Sequence, residues 1–180
     1  MLRKRNLGFT LVALLLMVTL VGCTASAVKM PTRTISITQQ DAIDGQNAAM
    51  SGLLSGKVEW TENQFSSLIS GLLTSNSGPN MPVTAIHAWF EPNNEIYLRV
   101  VLKPHVLRAG ETLDLAGKVN VENKHVVVNL QQAGMGNMSV SDLLLSTISG
   151  QINSVLAGAN FGVAASVQTA SGTLTVKLGS

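Results

Sequence analysis

Between Val83 and Val128 the apolar residues recur at every second position, and this period constrains the fold more than any other feature of the chain. Ile96, Leu98, Val100 and Leu102 alternate with Tyr97, Arg99, Val101 and Lys103, and Leu113, Leu115, Val119 and Val121 with Thr112, Asp114, Lys118 and Asn120. A helix would scatter these side chains around its circumference, whereas a strand gathers them on one face, so the segment predicts half-buried antiparallel strands. Turn signals separate them at Glu91-Pro92-Asn93-Asn94 and at Asn123-Lys124. A two-residue turn at Asn123-Lys124 pairs Val121 with Val126 and Val119 with Val128, keeping the apolar residues on one side.

Helical periods flank this region. Thr61 and Gln64 form a capping box, followed by Phe65, Leu68, Ile69, Leu72 and Leu73 on one stripe. Ser139 with Asp142 opens a longer helix whose apolar positions are Val140, Leu143, Leu144, Ile148, Ile152, Val155 and Leu156, ending near Gly158. Thr38 to Leu54 also has a helix opening, Thr38 with Asp41, but Gly45 and Gly52 weaken it. Phe161 to Thr169 and Thr173 to Leu178 predict a closing hairpin around Ala170-Ser171-Gly172. The expected fold is α+β, with an antiparallel sheet of about four strands plus a C-terminal hairpin packed on two amphipathic helices.

The start of the chain reads as an address. Arg3, Lys4 and Arg5 precede the apolar stretch Leu7 to Val21, and Gly22 and Cys23 close it, in the order of an export signal. The apolar run is shorter than the roughly 20 residues of a membrane-spanning helix. Leu20-Val21-Gly22-Cys23 resembles the lipobox of bacterial lipoproteins, which implies cleavage before Cys23 and a diacylglyceryl group on its thiol, with palmitate-type chains as the anchor. Residues 1–22 are then a signal peptide, 23–37 the lipidated cysteine and a tether, and 38–180 a single α+β domain. Cleavage removes three of the 12 basic residues and none of the 10 acidic ones, so the remaining 158 residues carry a net charge of −1. That balance gives no case for a nucleic-acid partner, and the single cysteine leaves none for a disulfide or a thiol nucleophile. The expected location is the extracytoplasmic side of a membrane, the outer membrane if the envelope has two, since Thr24 follows the cysteine where an Asp would resemble inner-membrane retention.

Catalytic chemistry has little to work with. Gly-x-Ser-x-Gly and Gly-Lys-Ser/Thr motifs are absent, and Gly134-Met135-Gly136 lacks the third glycine of a dinucleotide fingerprint. His87, His105 and His125 stand 18 and 20 residues apart on different expected strands, unlike the short pairs that hold zinc. Strand parity puts His125 on the solvated face and His87 beside Ala85 and Trp89, as a core histidine with one hydrogen bond. Asp41 with Asp44, and Glu59 with Glu62, lie at expected helix starts, where acids favour the dipole. Met81, Met135 and Met138 sit in connections, as gap fillers or as adaptable contacts for a ligand. Seven aromatic residues are too few for a stacking platform. No catalytic residue, cofactor or metal is expected.

The order of lipobox, tether, a helix introduced by Trp60-Thr61-Glu62-Asn63-Gln64-Phe65, four strands, a long helix holding Ile152-Asn153 and a return through Ser171-Gly172-Thr173-Leu174 resembles small bacterial lipoproteins related to the tubular lipid-binding, TULIP-like group. The resemblance covers residues 57–178. It implies a strongly curved sheet wrapped on a long helix, with an apolar groove that takes acyl chains, and the chain has room for one such unit. The functional expectation is a membrane-anchored, non-enzymatic domain that binds lipid or another hydrophobic ligand. Its groove candidates are Phe65, Leu68, Leu72, Trp89, Leu144, Ile148 and Ile152. The alternative is a structural or adaptor lipoprotein that holds an envelope protein through an exposed sheet edge or the loops at Pro92 and Gly110.

Overall fold

The computed structural model describes residues 28–76, 83–104, 112–135, 138–139, 142–158 and 163–179. The elements run α1 (Gln39–Ser55), β1 (Lys57–Thr61), α2 (Glu62–Asn76), β2 (Val83–Glu91), β3 (Glu95–Leu102), β4 (Thr112–Glu122), β5 (His125–Met135), β6 (Met138–Ser139), α3 (Asp142–Gly158), β7 (Ala164–Ala170) and β8 (Thr173–Leu178). The architecture is α+β, as the periodicities predict, with two open antiparallel sheets. The larger is ordered β2-β3-β4-β5-β6, its last strand only two residues long, and the smaller β1-β8-β7.

The local signals act where they were read. The Gln64 N–H donates to Thr61 Oγ1 at 3.2 Å and the Thr61 N–H to Gln64 Oε1 at 3.1 Å, both halves of the capping box. Asn123 and Lys124 both take left-handed φ values, 50° and 67°, and Val121 pairs with Val126 and Val119 with Val128. This is the turn geometry whose twist matches that of the flanking strands. A register shift opposite Ala116 and Gly117 leaves Gln131 without a partner and marks a bulge in β5, a local bend in the sheet.

Three features go beyond the sequence reading. The C-terminal hairpin leaves the larger sheet and pairs with β1, a five-residue strand that puts Val58 and Trp60 inward. Glu59 therefore lies on a strand, not at a helix start, with its carboxylate 2.8 Å from Lys57 Nζ. The segment Thr38 to Leu54 does form a helix, and its glycines are the reason it fits. A Cβ on Gly45 would stand 3.0 Å from the Gln64 carbonyl oxygen, and one on Gly52 would stand 2.9 Å from that of Lys57. Small residues thus bring α1 into backbone contact with α2 and β1.

The two sheets share one apolar core. Trp60, Phe65 and Phe90 meet edge to face within it, with ring centroids 6.1 and 5.1 Å apart. The β7–β8 hairpin is fastened across the sheets: the Gly172 N–H donates to the Phe90 carbonyl at 3.1 Å, and the Glu62 N–H to the Gly172 carbonyl at 3.2 Å.

Helices close the edges of the larger sheet through side chains. Phe90, Ala88 and Ile86 on the edge strand β2 donate their N–H groups to Glu62 Oε1 at 2.9 Å, Ser66 Oγ at 2.8 Å and Ser70 Oγ at 2.9 Å. Four residues of helix advance about 6 Å and two of strand about 6.6 Å, so every fourth side chain of α2 meets every second amide of β2. On the other side, Asn153 of α3 accepts the Val128 N–H at 2.7 Å and donates to the Val128 carbonyl at 3.1 Å. Ser149 donates to the same carbonyl at 2.7 Å.

Candidate functional site

The groove candidates divide by position. Phe65 and Leu68 on α2 and Ile152 on α3 are buried members of the core. Leu72 and Ile148 pack on that core but stay half-buried. Leu144 belongs to α3, and its side chain lies outside the described residues. Trp89 does not join the others. It points to the opposite face of β2 from Ile86, Ala88 and Phe90, where its Nε1–H donates to the Arg33 carbonyl at 2.7 Å. Strand parity pairs Trp89 with His87 and Ala85 on the face expected to be core, but it is Ile86, Ala88 and Phe90 that face the core, which separates Trp89 from Phe65 and leaves His87 half-buried outside it.

Half-buried apolar side chains border the core in several places, Val121 and Val126 beside the β4–β5 turn among them. Val83 faces Leu102, Val101 faces Thr112, and Leu115 faces Ala133, so the start of β2, the end of β3, the start of β4 and the end of β5 share an end. Val83 and Ala133 lie toward that end, and they, Leu72 and Ile148 pack against the core while keeping part of their surface exposed. The apolar lining therefore runs from the buried interior to the surface.

At the opposite end an open cleft of about 530 Å³ is lined mainly by amides and hydroxyls of Asn93, Asn94, Gln168, Thr169, Thr173 and Thr175. None of the groove candidates borders it. The Thr169 hydroxyl is already engaged by the Glu91 carbonyl and its N–H by Asn94 Oδ1 at 3.2 Å.

The segment read as a tether is docked from Arg33 onward. The Arg33 guanidinium bonds Glu62 through Nη2 at 2.7 Å and Nε at 3.2 Å, Glu91 through Nη1 at 2.7 Å, and the Phe90 carbonyl at 3.1 Å. These two carboxylates hold its pKa well above the ordinary arginine value, Glu62 most strongly. Ile35 is buried, the Ser36 N–H reaches Asn63 Oδ1 at 3.1 Å, and the Thr38 N–H reaches Ser67 Oγ at 3.1 Å. Glu62 thus does more than favour a helix dipole, since it joins this strap, the helix start and the edge of β2. Polar residues at every fourth position beside the stripe, Glu62, Ser66 and Ser70, mark this second face of α2 in the sequence without naming the strand it meets.

His87 stacks on Trp89 with ring centroids 6.1 Å apart and planes 19° apart. Burial lowers its pKa below the usual histidine value, Arg99 on the neighbouring strand adds to the drop, and a hydrogen bond with the Ile35 backbone opposes both. His125 is exposed, and His105 lies outside the described residues. Met81 also lies outside them, as do the side chains of Met135 and Met138. Among the described residues no cluster of His, Cys, Asp and Glu is placed to hold a metal ion.

Among the described residues, four of the five large apolar side chains that are exposed sit on α1, the fifth being Val163. Leu54 is 93% exposed, Met50 62%, Leu53 46% and Ile43 44%. The helix is inverted relative to an ordinary surface helix: its small face is buried and its large apolar residues face outward. Leu20, Val21, Gly22 and Cys23, the expected processing and acylation site, lie outside the described residues. No described helix is long and apolar enough to cross a membrane. No family model, curated protein or solved structure matches the chain.

Proposed function

We propose that the chain is an exported lipoprotein, acylated at Cys23 and held on the extracytoplasmic side of a membrane, whose folded part binds lipid or another hydrophobic ligand without catalysing a reaction. The observation that carries this reading is the incomplete enclosure of the apolar lining between α2 and α3. Phe65, Leu68 and Ile152 are buried, whereas Leu72 and Ile148 remain half-buried, as do Val83 and Ala133. A lining that reaches the surface gives an acyl chain a place to lie against the core without displacing polar groups. Two or more acyl chains on Cys23 hold a protein to a bilayer far more firmly than a single chain does.

The adaptor reading has less support, because the outer amides of β2 and the Val128 amide of β5 are occupied by helix side chains. An edge already paired in this way is a poor template for a partner strand.

The full chain, expressed in a bacterium and extracted in mild detergent, tests the proposal by mass spectrometry. The expected result is an N-terminal peptide beginning at diacylglyceryl-Cys23 and a stoichiometric lipid carried by the folded protein, reduced when Leu72 and Ile148 are replaced by Gln. A protein that carries no lipid and accepts none from vesicles overturns the binding reading.

A further inference from the structure

We infer that the exposed face of α1 is a membrane-docking surface, lying on the bilayer in which Cys23 is anchored; this rests on the lipoprotein reading above. Three observations carry it.

The first is the composition of the face. Ile43, Met50, Leu53 and Leu54 are exposed, and the other exposed positions of the helix are Gln, Asn and Ser. Both charged residues of the helix, Asp41 and Asp44, lie in its first two turns and are half-buried, and the exposed positions from Gln46 to Ser55 carry no charge. A face of this kind is poorly suited to water and well suited to the boundary between headgroups and acyl chains.

The second is the length of the leash. The strap is fixed from Arg33, ten residues beyond Cys23, which allows at most about 35 Å of extended chain between the acylated residue and the domain. Thr38, five residues further on, caps α1, so this helix is the element of the domain nearest in sequence to the anchor. Tethering converts contact between face and bilayer into an intramolecular event with a high effective concentration.

The third is the rim. Lys57 and Lys177 face each other on β1 and β8 immediately beyond the C-terminal end of α1, and both are exposed, Lys57 with Glu59 paired to it at 2.8 Å and Lys177 beside them. Ammonium groups bordering an apolar face sit well at the level of lipid phosphates.

The test uses the full processed chain in vesicles of phosphatidylethanolamine and phosphatidylglycerol. With Cys23 acylated, Leu54→Cys supplies the only thiol for an environment-sensitive fluorophore, and Met50→Cys serves as a second site. The expected result is blue-shifted emission at both positions that loses about half its intensity to lipids brominated in their acyl chains. The same probe at Lys118→Cys, on an exposed position of β4, stays water-like. A water-like Leu54 probe on a chain whose N-terminal peptide is acylated overturns the docking and leaves the lipoprotein reading standing. A chain without acylated Cys23 overturns the lipoprotein reading itself. Shielding that rises with protein density and ignores the brominated lipid assigns the face to a second copy and overturns the inference.

Discussion

Ser70 stands to Ile86 as the backbone of a neighbouring strand would, accepting its N–H at 2.9 Å and donating to its carbonyl at 3.2 Å. Ser66 repeats the arrangement at Ala88, with the N–H bond at 2.8 Å. Both serines are buried, so no water stands ready to replace them.

Replacing Ser70 by Ala leaves the Ile86 N–H without its acceptor in a buried setting, at a cost of about 1–3 kcal/mol. The double replacement Ser66→Ala with Ser70→Ala is expected to be close to additive. Urea denaturation checks the stability loss. Amide hydrogen exchange locates it, since Ile86 and Ala88 should lose protection before Leu98 and Leu115, which lie inside the ladder.

Glu62 is expected to be the most sensitive polar position. Its side chain is only 9% exposed and accepts from both Arg33 and the Phe90 amide. Glu62→Ala strands the Phe90 amide, leaves Arg33 with only Glu91 and the Phe90 carbonyl, and should cost about 2–3 kcal/mol, whereas Glu62→Gln keeps an acceptor for Phe90 and should cost less. The strap should loosen at the same time, read out as faster proteolysis between Arg33 and Thr38. Equal stability of the Ala and Gln variants would argue against the role of the Phe90 amide.

Two glycines in helices should respond with opposite signs to the same change. An added Cβ at Gly52 meets the Lys57 carbonyl oxygen at 2.9 Å and the Val58 Cα at 3.0 Å, both backbone, so α1 must move off β1. Gly52→Ala should destabilise by about 1–2 kcal/mol despite its gain in helix propensity. Gly71 in α2 has nothing within 4 Å of that position, and Gly71→Ala should stabilise by up to about 1 kcal/mol. Thermal melts of the two variants decide the sign.

The depressed pKa of His87 gives stability a pH dependence. The folded protein holds this imidazole neutral more firmly than the unfolded chain does, so the unfolded state takes up its proton first. The contribution is fully present above the unfolded value of about 6.5 and is lost as the pH falls through it toward the lower folded value. Urea midpoints measured from pH 8 to pH 5 should fall more steeply for the wild type than for His87→Gln. Parallel slopes would show that His87 is not involved.

What the sequence discloses and what it conceals follows from the range of each interaction. The capping box at Thr61 and Gln64 and the turn at Asn123-Lys124 are decided within a few residues, and both were legible. Strand β1 was not, because its five residues find their partners at Thr173 to Lys177, more than a hundred positions away. Its Val58 and Trp60 alternate with polar neighbours for too short a run to separate a strand from the approach to a helix. Helix α1 looked weak because Gly45 and Gly52 carry a propensity cost, and close packing against Gln64 and Lys57 outweighs that cost. Ser66 and Ser70 are small polar residues beside an apolar stripe, and nothing local says that they face a strand. Of the groove candidates, the α2 and α3 residues follow from helical period, whereas Trp89 stands on the face of β2 opposite to the core residues Ile86, Ala88 and Phe90.

The helix side chains that occupy the outer amides of β2 and the Val128 amide of β5 have a consequence for life in a crowd. Proteins fixed to a surface meet their neighbours in two dimensions, side by side and repeatedly, the geometry in which open β-edges polymerise. Carboxylate, hydroxyl and carboxamide groups offer no repeating ladder on which a second sheet can grow. On the anchored protein proposed above, β2 and the Val128 position of β5 would offer a neighbouring copy no open strand to extend.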